Sequence, residues 1–503
     1  MIVHKFGGTS VANAQCFANV ATIVIEQQKK GRPVISKIKN GGQSSGQSAP
    51  LEGAIVVVSA MSGVTDLLIS GARAAAEGKD TVCREIKATL LSKHLNVVET
   101  LLGHSPERLE VAGHVEDRLH DLELLYRSIA VLGELTLRGC DAVASFGEQL
   151  SAGLLAAVLR ENGARAQAFS ATELIVTDSN FGAARPRMDV THERLEQRVR
   201  PLLDRSAIPV ITGYIAANEQ GVTTTLGRGG SDYTAAIVGA GLGADEVWIW
   251  TDVDGILTAD PNIVPEAKTL AELSYSEAAE LAYYGADVLH PKTIRPVTES
   301  GIPLRILNTF SPTNPGTLIV KSPRPDRKVS PAIISTTGLT LIAVGTEDDS
   351  WTLADAVRAL QLLSEAGVDA LLFSQSFSEH SLNLVVREQS QAHCLHVLSR
   401  EFGGSVSQSE SVPSKRSRTL TKNGYVLGTK EKVATISVVG VPGWDETGII
   451  SHAFAALGKC RTRVIAVAQS GTEYAVSFCI PEDHVEETVR FLHRELGLEG
   501  QHG

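Results

Sequence analysis

The sequence predicts an α/β protein, a mostly parallel sheet sandwiched by helices, followed by two smaller α+β units. Three observations carry this. From the start to about residue 320, apolar runs of strand length alternate with stretches of helical spacing, the rhythm of βαβ units. After Pro331 the units shorten and one pattern occurs twice. At 503 residues the chain is also too long for one ordinary core.

In chain order, the candidate strands are Ile2 to Phe6, Ala54 to Ser59, Ile208 to Thr212, Glu246 to Thr251 and Ile302 to Leu307. Each of the first four runs into a Gly, Ser, Thr or Asp cluster, and polar groups there face the crevice where open α/β sheets bind ligands. Residues 38–50 (IKNGGQSSGQSAP) lack apolar anchors and read as a loop, a tolerated insertion rather than a binding loop. Residues 105–138 carry Leu, Val and Tyr at helical spacing, a helical excursion from the sheet. In the C-terminal part, Ser374-Gln375-Ser376 with Leu382, Leu384 and Val386 matches Ala468-Gln469-Ser470 with Val476, Phe478 and Ile480. LIAVG (341–345) pairs likewise with ISVVG (436–440), so two copies of a βαββαβ-like unit are expected. The polar stretch 405–430, with Lys415, Arg416 and Arg418, reads as a solvated linker rather than an anion site. The expected domains are 1–325, 332–410 and 430–500.

A formal net charge of −11 disfavours nonspecific binding to nucleic acid or to an anionic membrane. No signal peptide is expected at the N-terminus, nor a run of about 18 apolar residues able to span a bilayer. Cys16, Cys83, Cys140, Cys394, Cys460 and Cys479 are scattered without CxxC spacing, which predicts neither a disulfide framework nor a thiolate metal site and favours a cytoplasmic location.

Three segments could carry phosphoryl chemistry. The Walker pattern is absent, and GAGLGA (239–244) is too weak a glycine signal for a dinucleotide site. Lys5-Phe6-Gly7-Gly8-Thr9-Ser10 ends the first strand and opens a helical stretch at Val11. Its glycines permit close backbone approach, a helix N-terminus supplies N–H donors, and Lys5 adds a point charge, all suited to phosphate. A Gly-Gly pair is also met as an ordinary turn. In Gly227-Arg228-Gly229-Gly230-Ser231-Asp232, Arg228 could clamp a carboxylate and Asp232 could hold an ammonium or orient Lys5, although Ser231 or Asp232 also suits a helix N-cap. Trp250-Thr251-Asp252-Val253-Asp254-Gly255 follows a strand but fails the calcium-loop spacing, and a turn is the alternative. His290, before a proline, reads as structural.

Taken together, KFGGTSV (5–11), VVSAMSGVTDLL (57–68), SFGEQLSA (145–152), PVITGYI (209–215), GRGGSDYTA (227–235), WTDVDGILTADP (250–261) and GADVLHPKT (285–293) resemble the aspartate kinase branch of the amino acid kinase family. The C-terminal repeat resembles that branch's paired ACT domains, which have a ferredoxin-like fold. The resemblance implies a monofunctional enzyme, with no homoserine dehydrogenase segment after the second repeat. It would phosphorylate the β-carboxylate of L-aspartate with MgATP. By the same resemblance Lys5, Gly7 and Gly8 stabilise the transferring phosphoryl group, and Asp232 orients Lys5 or the substrate. Arg228 binds the α-carboxylate and Glu148 the ammonium, while Ser59 and Thr65 close the pocket. Thr251, Asp252, Leu257, Asn262 and Asp287 fall at nucleotide-contacting positions. Mg2+ would bridge the phosphates with few protein ligands, so no metal residue is named.

Two positions depart from the family pattern. Asp287 stands where a lysine is frequent, and Leu257 where a tyrosine is common. The paired ACT units imply feedback inhibition by lysine, threonine or both, with Ser374, Gln375 and Gln469 as effector contacts, and a homodimer or higher homo-oligomer. The alternatives are another amino acid kinase, acting on glutamate, and an amino-acid-sensing subunit whose kinase site has decayed.

Overall fold

The computed structural model describes residues 1–30, 53–283, 289, 291–324, 327, 330–346, 350–376, 380–403, 407–408, 425–440, 449–469 and 475–498. The 38–50 loop, Asp287, His290 and most of the 405–430 stretch lie outside the described residues. The chain divides into two compact units. One is Met1–Ile256 with Ala271–Ala279 and Val288–Arg324, and the other is Leu257–Leu270 with Glu280–Asp287 and Pro325–Gly503.

The strands of the first unit are β1 (Ile2–Phe6), β2 (Ala54–Val58), β3 (Ala166–Phe169), β4 (Val176–Thr177), β5 (Ile208–Thr212), β6 (Ile215–Asn218), β7 (Thr223–Thr225), β8 (Glu246–Thr251), β9 (Glu272–Ser274), β10 (Leu304–Asn308) and β11 (Thr317–Val320). Eight of them form one sheet in the order β3-β5-β2-β1-β8-β10-β11-β9, parallel throughout except between β10 and β11. β4, β6 and β7 form a small separate sheet. Strands β2 and β5 are buried along their whole length, as strands covered on both faces must be, and their sequences are accordingly continuous apolar runs. Phe6 lies level with Val58 on one side and Trp250 on the other, so the C-terminal ends of β1, β2 and β8 open onto the same edge. The five strands expected from the sequence are found, with the last shifted to Leu304–Asn308.

Helices α1 (Ala14–Lys30), α2 (Val64–Ala76), α3 (Asp80–Leu102), α4 (Arg108–Leu132), α5 (Leu137–Glu161), α6 (Met188–Arg198), α7 (Arg200–Leu203) and α8 (Gly230–Leu242) precede β8. The expected helical excursion, residues 105–138, contains α4, and α3 before it extends the excursion beyond those bounds; the inward residues Leu90, Val97, Leu119 and Leu122 of the two helices join the main core. The expectation of no bilayer-length apolar segment needs correcting. By length and hydropathy α5 could cross a membrane, but 78% of its most apolar stretch is buried inside the protein, the mark of a central core helix. It also carries two buried acids, Asp141 and Glu148.

The second unit holds β12 (Ala332–Thr346), β13 (Leu372–Ser376), β14 (Ser381–Arg387), β15 (Ser407–Gln408), β16 (Tyr425–Val439), β17 (Ala466–Gln469) and β18 (Ala475–Pro481). They form a seven-stranded sheet in the order β13-β14-β12-β16-β18-β17, with β15 on β16. Each copy of the repeat is a βαββα unit. The expected sixth element is supplied by the other copy, because β12 and β16 are 15 residues each and pair along both halves. Ala332 to Thr336 lies against Thr435 to Val439, and Leu339 to Thr346 against Val433 back to Tyr425. β13 and β17, the strands carrying the matched Ser-Gln and Ala-Gln pairs, occupy equivalent outer positions.

Candidate active site

The C-terminal edge of the large sheet opens into a cleft of about 670 Å³, formed wholly within the first unit. β1 brings Lys5 to its floor. The chain then turns through Gly7 and Gly8, where Gly7 N–H donates to the Trp250 carbonyl (3.2 Å) and Ser62 N–H to the Gly8 carbonyl (3.1 Å). A side chain at Gly8 would bring its Cβ to 3.0 Å from the Ala60 carbonyl oxygen, so glycine lets this turn lie against the end of β2 without crowding. The helix expected to open at Val11 begins at Ala14 instead. A 3-10 turn, Thr9–Val11, intervenes, and Asn13 accepts the Cys16 N–H at the start of α1. The Gly-Gly turn therefore does not lie at an α-helix N-terminus.

The second glycine cluster does lead into a helix. Gly227 and Gly229 have φ of +79° and +69°, left-handed conformations that disfavour any side chain, and Gly229 caps α8 without a side-chain bond. Neither Ser231 nor Asp232 is the N-cap; both stand in the first turn. Asp232 is thereby aimed across the cleft, where its Oδ1 lies 2.6 Å from Lys5 Nζ. This joins two segments more than two hundred residues apart, and both side chains are only slightly exposed, at 12% and 13%. Arg228, between the left-handed glycines, lines the same cleft.

On the opposite wall α5 presents Glu148. It is buried, one carboxylate oxygen receives the Ala60 N–H, and its Oε2 has no hydrogen-bond partner among the described residues. Burial pushes its pKa up to about 8, outweighing the backbone hydrogen bonds that favour the ionised form. Among the described residues no cation meets this open oxygen, and an ammonium brought to it would favour the ionised form. Ser59 and Thr65, at the end of β2 and the start of α2, complete this side.

Of the residues singled out in the sequence, the cleft gathers Lys5, Gly8, Ser59, Thr65, Glu148, Arg228 and Asp232. Gly7 lies alongside, with a Cβ position 3.6 Å from Lys5 Nζ. Thr251 and Asp252, joined by a 3.2 Å hydrogen bond, stand at the end of β8 beside β1 but do not line the cleft. Leu257 and Asn262 fall in the second unit. Leu257 bridges to Thr269, and the Asn262 side chain donates to Asp260 (3.0 Å). Ser374 and Gln375 sit on β13 and Gln469 at the end of β17. Gln375 Nε2 and Asn383 Oδ1, on adjacent strands, are both buried without a partner among the described residues. Sequence reasoning passed over Tyr214, which lines the cleft with φ +65°, and Asp141. For Tyr214 a signal existed, a bulky residue between Gly213 and a strand in the quoted PVITGYI.

Comparison with known proteins follows this geometry. The model of the amino acid kinase family matches residues 1–308, and an ACT domain model matches residues 436–496. The chain belongs to the amino acid kinase family, whose members are phosphotransferases. Within that family its full-length similarity is to aspartokinases. It is 30% identical to the chloroplastic aspartokinase 3 of Arabidopsis thaliana over 98% of this chain and 80% of the relative. It is 32% identical to the bifunctional aspartokinase/homoserine dehydrogenase 2 of the same plant over 99% of this chain, but spans only about half (50%) of that relative's length. The structure of E. coli aspartokinase III in complex with aspartate and ADP superposes with a TM-score of 0.76 at 25% identity, over 99% of this chain and 100% of that one. The form of that enzyme with lysine and aspartate gives 0.74 at 26% identity, over 99% of each chain.

Proposed function

We propose that this protein is an aspartate kinase, transferring the γ-phosphoryl group of ATP to the β-carboxylate of L-aspartate. One β-carboxylate oxygen attacks the γ-phosphorus, the bond to the β–γ bridging oxygen breaks, and 4-phospho-L-aspartate and ADP result. The nucleophile is already ionised, so no base is needed, and the work left to the protein is positioning and charge stabilisation. The observation that carries this reading is one cleft offering two complementary charges for an amino acid, Arg228 for the α-carboxylate and Glu148 for the ammonium, beside the Lys5–Asp232 pair. Lys5 then stabilises the charge that spreads over the γ-phosphoryl oxygens, Gly7 and Gly8 let the phosphate approach the backbone, and Asp232 holds Lys5 in place. Ser59 and Thr65 close the amino-acid end. Thr251 and Asp252, at the adjoining strand end, are the nearer nucleotide contacts, with Leu257, Asn262 and Asp287 further along the chain.

Mg2+ would enter with ATP and offset the phosphate charge, chemistry that asks for few protein carboxylates. Among the described residues no group of three or more His, Cys, Asp or Glu side chains gathers. Feedback inhibition through the ACT units is part of the proposal. Lysine is the first choice of effector because the E. coli relative was solved with it, and threonine the second. The buried, open amide of Gln375 supports an effector contact there, with Ser374 and Gln469 beside it in role. A homodimer or larger symmetric assembly follows from the same reading. Six free cysteines support a reducing compartment, and we assign the cytoplasm, although the plant relatives are chloroplastic.

An ADP-release assay across L-aspartate, L-glutamate and N-acetylglutamate tests the substrate. Turnover with aspartate alone is expected. Turnover with glutamate but not aspartate would assign another member of the family, and no turnover with any would favour an amino-acid-sensing subunit.

A further inference from the structure

The cleft described above accounts for Glu148 but not for a second buried carboxylate on the same helix. Asp141 precedes Glu148 by seven residues, about two turns, which places the two on one face of α5 roughly 10 Å apart along its axis. Asp141 is 2% exposed and has no ion-pair partner among the described residues. Its charge is met by three donors instead. Asp141 Oδ2 accepts the Gly182 N–H at 2.9 Å and the Thr225 N–H at 3.0 Å, and Oδ1 accepts the Thr225 hydroxyl at 2.7 Å.

The three donors come from two residues, Gly182 and Thr225, in segments that build the cleft. Gly182 lines it, and its carbonyl oxygen lies 3.2 Å from where a Cβ on Gly227 would stand. Thr225 ends β7 three residues before Arg228, its carbonyl accepts the Ala184 N–H (2.9 Å), and its side chain is hydrogen-bonded to the Tyr214 hydroxyl. A neutral residue could fill this space, since no cation requires a carboxylate there. What the carboxylate supplies is a charged acceptor for three donors converging from two loops, whereas an amide would meet them without the charge.

We infer that Asp141 is a positioning residue for substrate binding, tying the loop that carries Arg228 and the Gly182 turn to the helix that carries Glu148, and so fixing the separation of the two groups that grip the amino acid. The inference rests on the proposed roles of Arg228 and Glu148. Its consequence is selective, because the two ends of the aspartate pocket move apart while Lys5, on β1 and tied to α8, keeps its place.

The test is steady-state kinetics of the full chain carrying Asp141→Asn or Thr225→Val, with melting followed by circular dichroism. Asparagine keeps the shape but removes the charge that strengthens all three hydrogen bonds, and valine removes one donor while keeping the shape. The expected result is a rise in the aspartate KM of about tenfold or more for Asp141→Asn and a smaller one for Thr225→Val, from lost charge-assisted hydrogen bonds. The ATP KM should stay within about twofold, and Thr225→Ser, which keeps the hydroxyl donor to Asp141, should behave as wild type. Equal shifts in both KM values, a fall in kcat with both unchanged, or no change would overturn the inference. If Asp141→Asn does not fold, Thr225→Val decides by the same criteria. A wild type inactive on aspartate would instead refute the function on which the inference rests.

Discussion

Lys5→Ala is expected to lower kcat by about a thousandfold, the range seen when one preorganised donor to a developing anion is removed. Lys5 Nζ is held 2.6 Å from Asp232 and only slightly exposed, so its charge is fixed and poorly screened, the condition under which a single cation matters most to transferring phosphoryl oxygens. Its packing contribution is small. β1 is held by pairing to β2 and β8 on both sides and by Phe6 stacked on Trp250 at 5.7 Å, none of which involves the ammonium. The substitution leaves Asp232 without its partner, and an uncompensated, mostly buried carboxylate destabilises the fold. The double variant Lys5→Ala/Asp232→Asn separates the two effects. It should recover thermal stability without recovering turnover, as measured by melting and ADP release. Activity close to wild type in Lys5→Ala would remove Lys5 from the phosphoryl site.

The second large effect belongs to Glu148. Glu148→Gln is expected to raise the aspartate KM by about 10- to 100-fold with little change in the ATP KM, the loss expected when a buried charge partner is neutralised. Its pH dependence is the sharper signature. Burial holds the free carboxyl protonated up to about pH 8, whereas the substrate ammonium needs it ionised. The protonated fraction falls as pH rises through that value, so the wild-type aspartate KM should fall with rising pH and level off above about 8. Aspartate binding below that pH should release a proton, visible in calorimetry as a dependence on buffer ionisation heat. Glutamine has nothing to titrate, so the variant's KM should be flat over the same range. A wild-type KM that rises with pH, or a variant that keeps the slope, would assign the titration to another group.

Much of this was legible in the sequence because the relevant signals are local. A strand that ends in Lys-Phe-Gly-Gly, and glycines framing Arg228, announce close backbone approach and left-handed turns before any tertiary contact is known. The βαβ rhythm marks the mostly parallel sheet, and the doubled pattern after Pro331 the repeated βαββα unit, for the same reason. Errors arose where tertiary partners decide. The helix after Gly8 starts later than its apolar pattern suggests, because Thr9–Val11 takes a tighter turn and Asn13 caps α1. Gly229 rather than Ser231 or Asp232 ends the loop before α8, since a left-handed backbone needs no side-chain cap. The WTDVDGILTADP segment reads as one motif, yet from Leu257 it packs in the second unit, where Thr258 is hydrogen-bonded to the buried His493 at 3.1 Å and Ala259 and Val264 join an ACT core. Asp141 has no local signal at all. An acid inside an apolar helix acquires meaning only from Gly182 and Thr225, 41 and 84 residues away.

The most direct measurement is a crystal structure of the full chain with L-aspartate and a non-hydrolysable ATP analogue. The account predicts the amino group against Glu148, the α-carboxylate on Arg228, and the γ-phosphate within hydrogen-bond reach of Lys5 with the β-carboxylate in line behind it. Aspartate bound outside this cleft, or a triphosphate seated away from Lys5, would contradict it.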